Sequence, residues 1–234
     1  MATEMNSIRN AVLVHGAYAD GSSWSPVIRR LQAAGMTATA VQNPLTSLDD
    51  DVAATRRILD LQDGPCLLVG HSWAGTVISE SGLHDNVAGL VYIAARAPDA
   101  GEDWAALAGQ YPKPPASAGL QTADGFSWLN EQAFLEDFAG DLDPADARVL
   151  FAVQGRISTS LFSGRTTVAA WRSKPTWYQV STLDRTIDPG LERFLAQRMG
   201  ATTIELPSSH LSLVSHADAV ADFILQAAGA PPAG

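Results

Sequence analysis

The sequence predicts an α/β domain: a mostly parallel sheet of about six strands, helices on both faces, and a helical lid inserted in the middle of the chain. Three observations lead there. Short apolar runs alternate with amphipathic stretches at close intervals, the pattern of βα units rather than of hairpins. That alternation stops after Pro98 and resumes near Thr176. The 234 residues are 46% hydrophobic, enough to bury one substantial core.

The elements follow in order. Residues 11–15 form an apolar run expected to be a buried strand. Residues 24–34 read as a helix closed by Gly35, and residues 37–41 as a second strand. Residues 48–61 place apolar side chains at Val52, Ala53, Ile58, Leu59 and Leu61 between charges, with Ser47 as N-cap and Asp50 as its acidic partner. A strand at 65–69, a helix over 73–83 and a strand at 87–94 complete the first half. The pattern resumes with a strand at 176–182, a helix at 191–199, a strand at 202–206 and a last helix at 217–228. Asp188, before Pro189, is placed to cap the helix that follows it. Residues 229–234 are expected to fray, and no internal repeat is visible.

Residues 1–97 and 172–234 thus make the core domain, and 98–171 a helical lid inserted between its strands. The run Tyr111-Pro-Lys-Pro-Pro115 cannot lie inside a helix. The lid holds nine of the chain's 17 aromatic residues, Trp128 among them. Too short for a core of its own, it is expected to turn its apolar side toward a pocket at the strand C-termini. Most of its aromatics should simply pack it onto the sheet.

Composition excludes several classes. The formal net charge is −10, with no basic run to meet phosphates, which argues against nucleic acid and anionic membrane as partners. The single cysteine, Cys66, allows neither an intrachain disulfide nor a cysteine-rich metal site. No apolar run approaches membrane-span length, and residues 1–10 lack the basic and apolar regions of a signal peptide. A cytoplasmic protein acting on a small molecule is the default expectation, with homodimer formation left open.

The densest chemical signal is Gly70-His-Ser-Trp-Ala-Gly75, between the strand at 65–69 and a helix. A serine between strand and helix, flanked by small residues, has the layout of a nucleophile elbow. The helix N-terminus supplies unpaired N–H groups for an oxyanion. A serine alone is a poor nucleophile and needs a base. Of five histidines, His15 and His71 are too constrained to swing toward Ser72, and His84 closes the following helix. His216 starts the last helix, whereas His210 sits just past a strand C-terminus, where a base can reach a cleft. For the orienting acid, Asp184 directly follows the strand at 176–182 and is preferred over Asp188. The turn after the first strand, His15-Gly-Ala-Tyr-Ala-Asp-Gly21, would add a second oxyanion donor, the Ala17 N–H beside that of Trp73. Gly16 lets that turn come close, and Tyr18 follows it into the expected pocket.

Together these residues resemble the α/β-hydrolases, in particular the small plant-type esterase and hydroxynitrile lyase group and its bacterial relatives. The resemblance rests on residues 15–24, Gly70–Gly75, Asp184 with Pro189, and Ser209-His210, and it spans the chain. It implies the order Ser72…Asp184…His210, an acyl-serine intermediate, a small carboxylic ester as substrate, and no metal or organic cofactor. The group's cyanohydrin lyases carry threonine and lysine where this chain has Gly16 and Leu211, so the ester hydrolase is favoured over the lyase. A slow, ligand-sensing homologue is the more distant alternative, and a perhydrolase side reaction is open to the same centre.

Two positions depart from the pattern. Ala74 replaces the second glycine of the usual elbow, with Gly75 next to it. Arg96 stands where an apolar residue is expected, and either pairs with Asp99, Glu102 or Asp103 or reaches the pocket to bind a substrate carboxylate. Gly16, Tyr18, Arg96, Trp128 and Leu211 are the candidate substrate-binding residues, and the Trp73 side chain is expected to wall an acyl pocket suited to short or aromatic groups.

Overall fold

In the computed structural model, which describes residues 8–230, a six-stranded parallel sheet runs in the order β2-β1-β3-β4-β8-β9. The strands are β1 (Asn10–Val14), β2 (Thr37–Val41), β3 (Cys66–His71), β4 (Val87–Ile93), β8 (Thr176–Ser181) and β9 (Thr202–Leu206). β1 and β3 are buried along their whole length and β4 nearly so, which is why they read as unbroken apolar runs. The outermost strands β2 and β9 are largely half-buried or exposed.

On one face α1 (Ser25–Ala33) packs against α9 (Ala217–Ala227). α2 (Leu48–Asp60) and α3 (Ala74–Ser81) pack together on the other. α2 begins as its sequence directs: the Ser47 hydroxyl accepts from the Asp50 N–H, and Val52, Thr55 and Leu59 turn inward. α7 (Pro189–Met199) starts at the Asp188 carboxylate, which accepts from the Gly190 and Leu191 N–H groups, and stops at Gly200 in the left-handed region. A short α8 (Ser212–Ser215) precedes α9. Residues 231–234 of the predicted frayed tail lie outside the described residues. Among the described residues no helix is long and apolar enough to cross a membrane.

The chain reverses its direction of travel across the sheet between β1 and β3, so their C-terminal ends open a crevice. The segment that covers it is not wholly helical, as the sequence suggested. It contains α4 (Trp104–Ala108), α5 (Glu131–Ala133) leading into a wide π-type turn at Phe134–Phe138, and α6 (Pro144–Ala152). Between and after these helices β5 (Leu120–Ala123), β6 (Phe126–Leu129) and β7 (Ile157–Ser158) form a three-stranded sheet, with β5–β6 and β6–β7 antiparallel. The cause is the two-residue turn Asp124-Gly125, both at positive φ (51° and 79°), a hairpin signal that the irregular flanking sequence obscured.

The glycine the elbow requires is Gly75 rather than residue 74. A Cβ at Gly75 would lie 1.8 Å from the Arg96 carbonyl oxygen, on backbone that cannot yield. Gly75→Ala is expected to cost about 3 kcal/mol, an overpacking penalty against main chain. Urea unfolding at unchanged midpoint would contradict this.

Candidate active site

Ser72 follows β3 with φ 55°, a left-handed conformation costly for a residue with a Cβ. The surrounding backbone enforces it. The Ser72 N–H donates to the Ile93 carbonyl (3.2 Å), and the Ser72 carbonyl accepts from the N–H groups of Gly75 and Arg96, both at 3.0 Å. The side chain is thereby turned out of the sheet edge onto a cavity of about 260 Å³.

His210 lies beyond β9, in the turn that precedes α8, and is buried. Its Nδ1 is 2.5 Å from Asp184 Oδ2. The other oxygen, Asp184 Oδ1, accepts from the N–H groups of Thr186 (2.6 Å) and Ile187 (2.9 Å), so three donors fix the carboxylate. His210 Nε2 is buried and has no hydrogen-bond partner among the described residues, Ser72 Oγ included. An orphaned buried ring nitrogen costs on the order of 1–3 kcal/mol, so the fold retains it against its own stability. The lid holds the turn from outside, since the Ser209 N–H and hydroxyl both donate to the Asp141 carboxylate.

Two other histidines frame the centre as neutral rings. His71 packs against His210 with centroids 4.7 Å apart and donates from Nε2 to the His210 carbonyl (2.9 Å). Burial, with the neighbouring His210, pulls its pKa well below the ordinary value. His15 accepts the Asn43 N–H at Nε2 (2.9 Å) and directs Nδ1 to the Gly16 carbonyl (2.9 Å), while Asn43 Nδ2 donates to the His15 carbonyl. This clasp fixes the turn after β1, and burial lowers the pKa of His15 as well. His84, by contrast, bonds Asp60 at 3.0 Å, away from the cavity. Ala17 and Trp73 line the cavity, and neither of their N–H groups donates to a protein acceptor among the described residues.

A model described as "Alpha/beta hydrolase family" matches residues 11–223. The chain belongs to the α/β-hydrolase family. No curated protein matches it. Among solved structures, a pyrethroid hydrolase from Sphingobium faniae superposes with a TM-score of 0.79 at 22% identity, covering 96% of this chain and 99% of that one. Polyneuridine aldehyde esterase gives 0.80 at 16% identity, over 94% and 99%. A methylesterase from Arabidopsis gives 0.78 at 17%, over 95% and 99%. At these identities the likeness is one of fold.

The cavity of this α/β-hydrolase uses only part of the predicted binding set. Tyr18 and Arg96 line it with Ser72; Trp128 and Leu211 do not. Trp128 sits one residue out of register. On β6 it is Leu129 that faces the cavity with its cross-strand partner Leu120, and the alternation of a strand turns Trp128 to the other side, under Arg156 at 4.3 Å. Leu211 is buried below Tyr18 beside Phe134 and Phe138. Gly16 backs Ser72 rather than lining the cavity: a Cβ there would stand 2.7 Å from the Ser72 Cβ. Arg96 makes no ion pair among the described residues, because the acids near it in sequence are taken by distant arginines. Asp99 binds Arg172, Glu102 binds Arg198 and Asp103 binds Arg165. Trp104, Tyr111, Phe162, Ile187 and Leu191 complete an apolar wall that the sequence located only as part of the lid and the strand ends. No group of three or more His, Cys, Asp or Glu side chains could hold a metal ion among the described residues.

Two buried carboxyls support the centre. Glu192 Oε2 accepts the Ser181 N–H (3.0 Å), and burial, then the Asp184 charge, hold its carboxyl well above the usual range. Asp51 was hidden in the run Asp49-Asp50-Asp51, where only the third side chain turns inward. It accepts the Trp73 indole N–H (2.8 Å) and the Leu45 N–H (2.8 Å) and so fixes the residue after Ser72. Burial raises the Asp51 carboxyl to about 6, against the pull of those two hydrogen bonds. A carboxyl raised by folding stabilises the fold through its protonated form. That contribution is full below about pH 4 and is lost as pH rises through about 6. The Tm of the wild type, measured relative to Asp51→Asn, should therefore fall between about pH 4 and about pH 7. A constant difference across that range would contradict the assignment.

Proposed function

We propose that this α/β-hydrolase is a serine esterase acting on small carboxylic esters. The observation that carries the reading is the buried imidazole of His210, tied at Nδ1 to Asp184 and unpartnered at Nε2, together with an elbow serine that opens on an apolar cavity. Asp184 fixes the tautomer that leaves Nε2 free to accept a proton, and its charge stabilises the imidazolium formed. Before substrate binds, the serine–histidine bond is commonly long, and it tightens only in the reacting complex.

The steps follow. His210 Nε2 takes the Ser72 proton as Oγ attacks the ester carbonyl. The Ala17 and Trp73 N–H groups receive the oxyanion, and because backbone fixes both, they need no reorganisation as charge develops. The imidazolium protonates the departing alcohol. His210 then takes a proton from water as it attacks the acyl-serine, and the imidazolium returns that proton to Ser72 Oγ as the C–O bond breaks and the acid leaves. Trp73, Phe162, Leu129 and Ile187 suit short or aromatic acyl groups.

Gly16 weighs against cyanohydrin cleavage on the same triad. With a Cβ at that position placed 2.7 Å from the Ser72 Cβ, this backbone leaves no room for a side-chain hydroxyl.

Initial rates on short-chain p-nitrophenyl esters test the reading. Asp184→Asn is expected to lower kcat by about 10⁴-fold, and His210→Gln by a comparable factor, with KM little changed. Ester turnover that survives both substitutions would overturn the assignment. A folded wild type that hydrolyses no ester but releases an aldehyde from a cyanohydrin would move it to the lyases, and tight ligand binding without turnover to the sensors.

A further inference from the structure

Arg96 sets a cation on the wall of a mostly apolar cavity. Its backbone belongs to the elbow: the N–H donates to the Ser72 carbonyl (3.0 Å), and its own carbonyl presses on Gly75. The side chain therefore starts beside the nucleophile. The guanidinium carbon lies 4.1 Å from the Phe162 ring centroid, 5.0 Å from that of Trp104 and 5.4 Å from that of Trp73.

An aromatic cage attracts the charge and holds its plane, but leaves the hydrogen bonds unmade. A guanidinium carries five N–H donors in a fixed fork, and no acceptor for any of them is found among the described residues. The three nearby carboxylates are neutralised elsewhere, and Asp188, the one acid on the cavity wall, caps α7 through Oδ1. Burial lowers the Arg96 pKa to about 10, so the group stays charged at neutral pH. The nearby Tyr18 hydroxyl, raised by burial to about 12, stays neutral and provides no counter-charge.

We propose that Arg96 is an anion subsite, and that the substrate is an ester carrying a free carboxylate in its acyl or alcohol half. The inference rests on the esterase reading above and narrows it. A carboxylate matches the guanidinium fork with two parallel hydrogen bonds, in a site walled by apolar groups where such bonds are strong. The positive charge on the wall also selects against neutral apolar esters of the same shape, which leave the fork unpaired.

The test compares isosteric esters with and without the charge. For the acyl half the pair is p-nitrophenyl hemiglutarate and p-nitrophenyl 5-methylhexanoate; for the alcohol half, acetoxyacetate and isobutyl acetate. The wild type should prefer the charged member of one pair. Arg96→Met should lower that preference in kcat/KM by roughly 10- to 100-fold, mainly through KM, with Arg96→Lys between the two. Binding of glutarate to Ser72→Ala, followed by calorimetry, reads the subsite without turnover and should vanish when Arg96→Met is added. Ester turnover with no charge preference in either pair, and no glutarate bound, would overturn the subsite and leave the esterase standing. Glutarate bound through Arg96 with no ester turned over would do the reverse.

Discussion

The Ser72 peptide unit is tied down three times, and the rest of the site depends on that. Its N–H reaches Ile93 on β4, and its carbonyl takes the N–H groups of Gly75 and Arg96. Without those bonds a serine at φ 55° would relax toward ordinary backbone, which is lower in energy by roughly 1–2 kcal/mol. With them, one peptide unit joins β3, α3 and the segment after β4 at a single point. Ser72, the first turn of α3 and the Arg96 side chain are then placed by the same constraint. The close pass of Gly75 over the Arg96 carbonyl is its steric counterpart.

Around that point the fold sorts three buried histidines by what each ring nitrogen meets. His15 and His71 face main-chain groups, and burial keeps them neutral, so they act as struts. Of the three, His210 alone meets a carboxylate, and its Nε2 is left without a partner, as is the Nδ1 of His71. The same division separates the acids. Asp188 spends its oxygen on a helix cap, whereas Asp184 has one oxygen anchored by main chain and the other turned to the imidazole.

Much of this was legible in the sequence, for a physical reason. In a parallel sheet the strand ends are where the apolar runs stop, so His15, Ser72, Asp184 and His210 could be located by their distance from a run. What the sequence could not show depends on pairing across space. Trp128 and Leu129 differ by one position on a short strand, and only the register of β6 on β5 decides which faces the cavity. The Asp124-Gly125 turn that builds this hairpin lay in a region with no alternation around it. The partners of Asp99, Glu102 and Asp103 lie 62 to 96 residues away, so nothing local to Arg96 showed that its neighbours were already engaged. Asp51 was masked in a different way, as one of three aspartates in a first turn where a solvated face is the ordinary outcome.

The most direct test of the account is whether Ser72 is an activated nucleophile at all, independent of the natural ester. Treatment of the intact protein with a small fluorophosphonate, followed by mass spectrometry of the whole chain and of its peptides, reads this out. The account predicts one phosphonyl adduct, on the peptide holding Ser72, formed far more slowly in Asp184→Asn and absent from Ser72→Ala. A folded wild type that takes no label, or a label that persists in Ser72→Ala, would contradict it.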